Sequence, residues 1–457
     1  KTFFTSKWWN GVLVQTDAAT IATINTLDFV VKSELVAPGE RLIGGRIGQK
    51  EGHATTQNSN AANATDFQLS QLQLDKMHAS GFQGEGVDVA QFDSGWIGAN
   101  TGMPFQDLFT EGRIKGTYNF VANTRNVFTA SEHGTHVLSV MAASVPNTFT
   151  GGIFKANYYL FLTEDVSTEY RIEEYNWAFA AEKADSAGVD VINSSLGYNT
   201  FDLSAMNYRY QDMNGSSTVV SISARKAVEK GIIVVCSAGN EGASSWKYIM
   251  APGDADGVLA TGALTSLGNR SNFSSMGPSA DKRIKPDVAA FGSGVSVISA
   301  IGSLSAANGT SFASPLVASL AAGLVQANPR AAPSKIVEAI KKSGSQSSNP
   351  DTLKGYGIPS FVLAHQLLRM AEQEVPIEIL PTWVVDDTIA VSFKNPANNV
   401  TIQIFDLQGK LVSDSAGSVN SQNPVILLDV SRLGQGIYIV RVVTPQASIS
   451  KRIMKAK

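Results

Sequence analysis

The central part of the chain alternates short apolar runs with longer stretches of helical spacing, and this alternation constrains the fold more than any other feature. The apolar runs have the length and composition of buried strands: Val87–Phe92, Tyr158–Leu162, Val189–Asn193, Ile232–Ser237 and Val258–Ala263. The helical stretches are Val137–Ala143, Ile172–Ala187, Val219–Lys230 and Ser311–Ala327. Strands that alternate with helices form a parallel sheet with helices on both faces. The sequence therefore predicts an α/β domain over residues 66–372.

Three other blocks flank this domain. Residues 1–39 predict a short α+β block of strand, helix and strand, at Trp8–Gln15, Asp17–Leu27 and Phe29–Val36. Residues 40–65 are rich in Gly, Gln, Asn, Ala and Thr without periodicity, which indicates a linker. Residues 376–457 predict an all-β sandwich. Its expected strands are Thr388–Phe393, Val400–Phe405, Val425–Leu428 and Ile437–Val443.

Composition excludes several classes of protein. The formal net charge is −3, which argues against a nucleic-acid or anionic-membrane partner. A single cysteine, Cys236, excludes an internal disulfide framework and a cysteine-rich zinc site. The longest apolar stretch, Leu316–Ala327, is shorter than a membrane span and contains Ser and Gly. Because the sequence begins at Lys1 without a charged and apolar leader, we expect that any signal peptide has been removed or that the sequence is a fragment.

Four polar residues fall where ligands bind an open parallel sheet, beyond the carboxyl ends of its strands. Asp93 and Asn240 directly follow strands, whereas His133 and Ser311 precede helices. Each has an ordinary structural alternative: a turn or cap for Asp93 and Asn240, a buried ring for His133, and a helix cap for Ser311. A metal site at His133 and His136 is excluded, because metal-binding pairs on a helix are spaced i, i+4 with a carboxylate between them.

Four segments taken together resemble the signature segments of subtilisin-like serine proteases. They are Gln91–Gly95, His133–Val137, Ser237–Asn240 and Gly309–Pro315. The resemblance covers residues 66–370 and implies a serine endopeptidase that hydrolyses proteins or peptides through Asp93, His133 and Ser311. It also implies that the Asn240 amide and the Ser311 backbone N–H hold the oxyanion.

Two departures from the usual segments leave the catalytic groups in place. Ser94 follows Asp93, and Phe312 follows Ser311 where many family members carry Met. Because phenylalanine forms no sulfoxide, we expect activity to survive mild peroxide. We also expect activity to fall as His133 becomes protonated, on the acid side of about pH 6–7.

The resemblance extends to the walls of the substrate cleft. Ser195-Leu196-Gly197 resembles the strand that pairs with an extended substrate, and Ser237-Ala238-Gly239 resembles the opposite wall of the pocket for the residue before the cut. Main-chain pairing of this kind gives affinity without sequence specificity. Met250 falls where the family often has a small residue, which predicts a shallow pocket that disfavours large aromatic side chains.

The first 39 residues resemble the carboxyl half of a subtilisin propeptide, although they are short for a complete one. The resemblance implies a precursor whose own propeptide occupies the cleft as an inhibitor and is cut off within residues 40–65. The alternative is a small decorative module.

The end of the chain resembles the sorting domain of the Bacteroidetes type IX secretion system. Phe405–Lys410, Leu433–Arg441 and Ser450–Lys455 carry the resemblance, and the usual Pro-Asn-Pro opening is missing. It implies a partner in the secretion machinery and a location outside the cell or on the outer-membrane surface. The alternative is a β-sandwich that binds protein or carbohydrate.

Two further questions remain open in the sequence. A protein of this family could have lost catalysis and act as a binding module, but replacement of Asp, His, Ser or Asn would then be expected, and all four are present. Subtilisins often bind calcium as a structural ion. The loop Ser144–Phe149 lacks a cluster of oxygen ligands, so no metal ligand is assigned and no cofactor is expected.

Overall fold

The protein is described from a computed structural model that covers residues 1–38, 55–56, 63–374, 377–385, 387–420, 422–445 and 447–456. The chain forms two compact units, Lys1–Leu368 and Arg369–Lys457, each of which is described by itself. Most of the predicted linker, residues 40–65, lies outside the described residues.

Strands and helices are interspersed along the whole first unit. The strands are β1 (Thr2–Ser6), β2 (Gly11–Val14), β3 (Thr55–Thr56), β4 (Asp88–Asp93), β5 (Ile114–Asn119), β6 (Ser144–Val145), β7 (Phe149–Thr150), β8 (Asn157–Leu162), β9 (Val191–Ser194), β10 (Ile233–Ser237), β11 (Leu259–Leu264), β12 (Val288–Phe291), β13 (Ser293–Ile298) and β14 (Leu304–Asn308). The helices are α1 (Ala18–Ile24), α2 (Asp66–Gln71), α3 (Leu74–Ala79), α4 (Gln106–Thr110), α5 (His133–Ala142), α6 (Ile172–Ala187), α7 (Val219–Glu229), α8 (Thr310–Ala327), α9 (Pro333–Lys342) and α10 (Phe361–Glu374), the last of which runs past the unit boundary.

A parallel sheet of seven described strands forms the centre of this unit, in the order β12-β11-β10-β9-β4-β8-β5. All five strands and all four helices expected from the alternation are present, within a few residues of their predicted bounds. The prediction missed the edge strands β5 and β12. In β5 the polar and small residues of Ile114–Asn119 interrupt any apolar run, as expected for a strand that is only partly buried.

The sheet separates two hydrophobic cores. In β10, Ile233 and Val235 point into the core that contains α5 and α8, whereas Val234 and Cys236 point into the core that contains α6 and α7. This alternation follows from the two-residue period of a strand. Because both faces are covered, the strands are apolar throughout, which is why they could be recognised from the sequence.

Helix α8 crosses the middle of the first core. It is long and apolar enough to span a membrane by length and composition, although the sequence had predicted no such stretch. Most of it, 83%, is buried inside the unit against α5 and the sheet. A helix that is apolar on all sides is expected in such a position.

The N-terminal block differs from its prediction. β1 and β2 form an antiparallel hairpin and α1 follows, capped by Asp17, whose carboxylate accepts from Thr20 N. The strand predicted at Phe29–Val36 is wrong, since these residues pair with no neighbouring strand among the described residues. Its β-branched composition favours extended backbone, but strand formation also needs a partner, and Val31 is fully exposed.

The second unit is a β-sandwich around its own apolar core, with antiparallel pairing except between β16 and β22, which are parallel. Its strands are β15 (Ile377–Leu380), β16 (Trp383–Val384), β17 (Thr388–Phe393), β18 (Ala397–Asp406), β19 (Leu411–Val419), β20 (Val425–Asp429), β21 (Gly436–Val443) and β22 (Ser448–Lys455). The orders are β15-β17-β20 in one sheet and β16-β22-β21-β18-β19 in the other. The four predicted strands are present, and β19 was missed because it is almost wholly exposed and so lacks an apolar pattern.

Candidate active site

Asp93 and His133 meet at the carboxyl end of β4. Asp93 is the last residue of that strand and fully buried, and its Oδ1 lies 2.7 Å from His133 Nδ1. Because a buried carboxylate accepts hydrogen bonds, the His133 Nδ1–H donates, which leaves Nε2 as the basic nitrogen of the neutral ring. Ser94 N donates to the same Asp93 oxygen at 2.7 Å and fixes the carboxylate.

Gly134 permits this close approach. A Cβ at this position would lie 2.4 Å from Gly95 O and 3.1 Å from Asp93 Cβ. A side chain here would therefore push the first turn of α5 away from the end of β4. The glycine in the His133-Gly134 segment is needed for packing, and it sets the distance between the imidazole and the carboxylate.

Ser311 lies in the first turn of α8 and is held against β9. Its Oγ donates to Ser195 O at 3.2 Å, and its own carbonyl oxygen accepts from Ser195 Oγ at 2.8 Å. Pro315 lies inside α8, beyond its first turn. Because proline has no N–H to donate to the carbonyl four residues earlier, the Ser311 carbonyl is available to Ser195.

Two buried side chains complete this attachment. Asn193 Nδ2 donates to Ser195 Oγ at 3.2 Å, and Ser314 Oγ donates to Asn193 Oδ1 at 3.0 Å. The first turn of α8 is thus tied to the end of β9 by side chains as well as by packing.

Asn240 is oriented by Thr310. Its Oδ1 accepts from both Thr310 N and Thr310 Oγ1, each at 2.9 Å. Gly239 N in turn donates to Thr310 Oγ1 at 3.2 Å. Since the amide oxygen is held by two donors, the Nδ2 group is the end of Asn240 that is left to donate elsewhere.

The imidazole of His133 and the hydroxyl of Ser311 belong to different helices, α5 and α8, which pack against each other at this edge of the sheet. The ring of Phe312, which directly follows Ser311, packs on the ring of His133 with 5.7 Å between centroids. Phe312 itself is buried, whereas the His133 side chain keeps 11% of its surface exposed and Ser311 keeps 9%. The ends of β4 and β10 and the starts of α5 and α8 therefore contribute side chains to one place at the sheet edge.

The two predicted wall segments face each other beside this place. Ser237 Oγ donates to Leu196 O at 3.0 Å, which ties the segment Ser237-Ala238-Gly239 to the segment Ser195-Leu196-Gly197. Met250 is buried and lies between them. A Cβ on Gly197 would lie 3.1 Å from Met250 Cβ, and one on Gly239 would lie 2.7 Å from Met250 Sδ. The methionine thus fills the space between two glycines.

Three residues of this arrangement were not predicted from the sequence: Thr310, Asn193 and Ser314. α8 has no side-chain cap, and the Thr310 hydroxyl binds Asn240. Asn193 carries a signal that could have revealed it, because a buried asparagine inside an apolar strand needs partners.

The described groups are an imidazole oriented by a buried carboxylate, a serine in the first turn of the helix whose next residue packs on that imidazole, and an amide that can donate, and these are the groups of a serine hydrolase. Comparison with known proteins agrees. Residues 84–357 match the model of the subtilase family. The chain belongs to the subtilase family, and it is a serine-type endopeptidase.

Individual relatives support the same assignment. The chain is 31% identical over 273 residues to a subtilisin of Bacillus pumilus, an alignment that covers 59% of this chain and 87% of the relative. It is 29% identical over 293 residues to subtilisin NAT of Bacillus subtilis subsp. natto, covering 63% and 68% of the two chains.

Solved structures share the fold. The protease MycP1 from Mycobacterium smegmatis superposes with a TM-score of 0.53 at 21% identity, covering 69% of this chain and 89% of that chain. The prenylagaramide maturation protease PagA gives a TM-score of 0.51 at 21% identity, covering 65% and 98%.

The second unit also has a counterpart. Residues 385–456 match the model of a secretion system C-terminal sorting domain. The resemblance predicted from the last strands is confirmed, and the protein is directed out of the cell or to the cell surface by a type IX secretion system.

Proposed function

We propose that the protein is made as a precursor and cuts proteins with a catalytic triad of Asp93, His133 and Ser311. The proposal is supported by the 2.7 Å contact between His133 Nδ1 and the buried Asp93 carboxylate, together with the packing of Phe312, the residue after Ser311, on the His133 ring. The proposal goes beyond family membership because it assigns the chemistry to particular side chains.

The reaction begins with the hydroxyl of Ser311, a poor nucleophile at neutral pH. His133 Nε2 takes its proton as Ser311 Oγ attacks the scissile carbonyl, and the same nitrogen then gives that proton to the leaving amine. Water hydrolyses the resulting acyl-enzyme by the same exchange of a proton. Asp93 keeps the ring in the tautomer with Nδ1–H and stabilises the imidazolium that forms at each step.

The negative charge of the tetrahedral intermediate would be held by two donors, Asn240 Nδ2 and Ser311 N. The support for Asn240 is its fixed orientation, since Thr310 holds the amide oxygen and leaves the nitrogen as a donor. The support for Ser311 N is its place in the first turn of α8, where backbone N–H groups lack helical partners and favour negative charge.

The substrate would lie extended between Ser195-Leu196-Gly197 and Ser237-Ala238-Gly239, with the side chain before the cut pointing towards Met250. Because Met250 fills the space between Gly197 and Gly239, we propose a preference for small side chains at this position. A peptide library should show it. The variant Met250→Ala should shift the profile towards larger apolar residues, and a wild-type profile dominated by Phe or Tyr would contradict the assignment.

The N-terminal block would be the enzyme's own inhibitor before and after the precursor is cut. This role is supported by specific contacts between the N-terminal block and the rest of the first unit. Glu182 of α6 accepts from Ser6 Oγ and Lys7 N, each at 2.7 Å, and the Phe4 ring lies among Tyr118, Phe120 and Phe179 at centroid distances of 5.0–6.2 Å. Ile172 N also donates to Val36 O at 2.9 Å.

This role can be tested with a peptide of residues 1–38 added to enzyme from which the block has been removed. We expect inhibition that falls roughly tenfold or more when Phe4→Ala removes the aromatic anchor. A peptide that does not inhibit at any concentration would leave the block as a decorative module.

The decisive experiment for the enzyme itself is labelling with a fluorophosphonate, which reacts with an activated serine. Labelling is expected in the wild type and absent in Ser311→Ala, while Ser319→Ala serves as a control at a serine of α8 whose hydroxyl donates to Pro315 O within the same helix. If the wild type is not labelled although folded, the alternative class, a subtilase that acts as a binding module, replaces this proposal.

A further inference from the structure

Three buried glutamates converge in the first unit away from the residues proposed for catalysis. Glu164 follows β8, Glu173 lies in the first turn of α6, and Glu169 lies in the loop between these elements. One oxygen from each lies within 4.8 Å of the other two. All three residues are at least nine-tenths buried.

Such a cluster is energetically unfavourable if nothing offsets its charge, because ionised carboxylates that are close together and buried repel one another and are poorly solvated. The hydroxyl of the neighbouring Tyr198 donates to Glu164 Oε1 at 2.5 Å. A tyrosine hydroxyl supplies one hydrogen bond and no positive charge, so it does not neutralise three carboxylates.

An amide beside the cluster gives a second, independent observation. Asn176 is 3% exposed, and its Oδ1 accepts no hydrogen bond from the part of the chain that the structure describes. Its Nδ2 donates at 3.2 Å to Thr163 O, the residue before Glu164. Asn176 also follows Glu173 by one helical turn, so both side chains are on the same face of α6. A buried amide with an unsatisfied oxygen therefore lies beside Thr163 and one turn from Glu173, and such atoms are normally satisfied.

We propose that Glu164, Glu169, Glu173 and the Asn176 amide oxygen form a binding site for a structural Ca²⁺ ion. The candidate donors are all oxygens, which calcium prefers and which argue against zinc. Calcium binds oxygens at about 2.3–2.6 Å, so two donors on opposite sides of the ion lie about 4.6–5.2 Å apart. The 4.8 Å limit within the cluster fits this size. The ion would also offset the repulsion among the carboxylates.

The ion would connect three parts of the first unit. It would join the end of β8 to the start of α6, and through Glu164 it would fix Tyr198. The backbone of Tyr198 exchanges two hydrogen bonds with Ala251, at 2.8 and 3.2 Å, next to Met250. The site is distinct from the loop Ser144–Phe149, in which the sequence shows no cluster of oxygen ligands. In the sequence, the only feature that indicates the proposed calcium site is the presence of three glutamates within ten residues, Glu164, Glu169 and Glu173.

The test uses the full chain with Ser311→Ala, which prevents self-digestion and makes the result independent of the proposed catalytic function. Calcium affinity is measured by equilibrium dialysis, and Tm is measured in EDTA and in excess CaCl₂. We expect calcium to raise Tm by several degrees, because an ion that binds the folded state stabilises it. Glu169→Gln and Glu173→Gln should weaken this binding roughly tenfold or more and remove most of the increment.

Glu174→Gln is the matched control. Glu174 is the next residue of α6 and equally buried, but its carboxylate accepts from Tyr208 OH at 2.6 Å and is not part of the cluster. This variant should keep the calcium response. An equal response in all variants, or no response in the parent together with greater stability of the Gln variants, would overturn the proposal in favour of carboxylates that share protons.

A second measurement applies if the Gln variants do not fold. Terbium replaces calcium and emits when a nearby tyrosine or tryptophan is excited. In the Ser311→Ala parent, emission that calcium displaces and that Glu173→Asp weakens would support the site, because aspartate keeps the charge but withdraws the ligand. Emission that Glu173→Asp leaves unchanged would overturn it.

Discussion

Thr310 shows how far the site depends on residues that do not touch the substrate. Its hydroxyl accepts from Gly239 N and donates to Asn240 Oδ1, so one side chain aligns the start of α8 with the end of β10. Asp93, His133, Asn240 and Ser311 were predicted because they carry recognisable chemistry. Thr310, Asn193 and Ser314 were not, since their partners are distant in sequence and a hydroxyl or amide has many ordinary uses.

The orientation of Asn240 gives the first prediction. Asn240→Ala removes the donor that we propose for the oxyanion, and we expect kcat to fall by about 10²–10³ with little change in KM, the loss found for the matching residue of a subtilisin. Steady-state kinetics on a peptide substrate measure the change. Thr310→Ser, which keeps the hydroxyl, should retain most activity. A small loss in Asn240→Ala would remove Asn240 from the oxyanion hole.

Phe312 gives the second prediction. Its ring packs on His133 and cannot be oxidised to a sulfoxide, so activity should survive mild peroxide. Phe312→Met places an oxidisable sulfur beside the imidazole and should make the enzyme sensitive. The readout is kcat/KM before and after treatment. Equal losses in both proteins would point to another target, of which the buried Met250 is the first to examine.

At the level of elements, the central strands and helices were predictable because burial on both faces makes them apolar throughout. Several of the parts that failed lack such a pattern, although the missed edge strand β12 is apolar and buried. β5 and β19 are edge strands with polar or exposed residues, and Phe29–Val36 has strand composition but no partner strand among the described residues. α5 begins at His133, whereas the predicted helical stretch began at Val137. The segment His133-Gly134-Thr135-His136 has low helix propensity, so its residues did not indicate the start of a helix.

Helix α6 carries a buried acid that gives the third prediction. Burial raises the pKa of Glu174 to about 7, partly offset by hydrogen bonds from Tyr208 OH and Val220 N and by the charge of Arg171, while Glu34 acts in the same direction as burial. An acid with a raised pKa binds its proton more tightly in the folded state. Its contribution to stability is therefore fully present below about pH 4.5 and is lost as pH rises towards 7.

We expect the Ser311→Ala protein to lose up to about 3 kcal/mol of unfolding free energy over this range through Glu174, since each pH unit of difference is worth about 1.4 kcal/mol. Adding Glu174→Gln should flatten this part of the profile. Urea unfolding at several pH values between 4.5 and 8 measures both proteins. Parallel profiles would show that Glu174 does not titrate in this range.

On the scale of the whole molecule, the two units have separate cores and separate tasks. The family match covers only residues of the first unit, and the sorting-domain match covers only residues of the second. Since each unit buries its own apolar residues, one can be removed without opening the core of the other.

This separation gives the fourth prediction. A chain that ends after Glu374 should keep its kcat/KM on peptides within about twofold, but it should remain inside the cell when expressed in a bacterium with a type IX secretion system. Activity assays and cell fractionation measure the two effects. Loss of activity in a folded truncated protein would show that the second unit contributes to the site.

The order of strands in the central sheet has a consequence during translation. β4, which carries Asp93, pairs with β8 and β9, and the helix that carries Ser311 packs on β9, β10, β11 and β12. A ribosome has therefore made most of the first unit before Ser311 emerges from the exit tunnel. Every shorter nascent chain lacks the nucleophile that we propose, Ser311, and would therefore cut no protein of the producing cell.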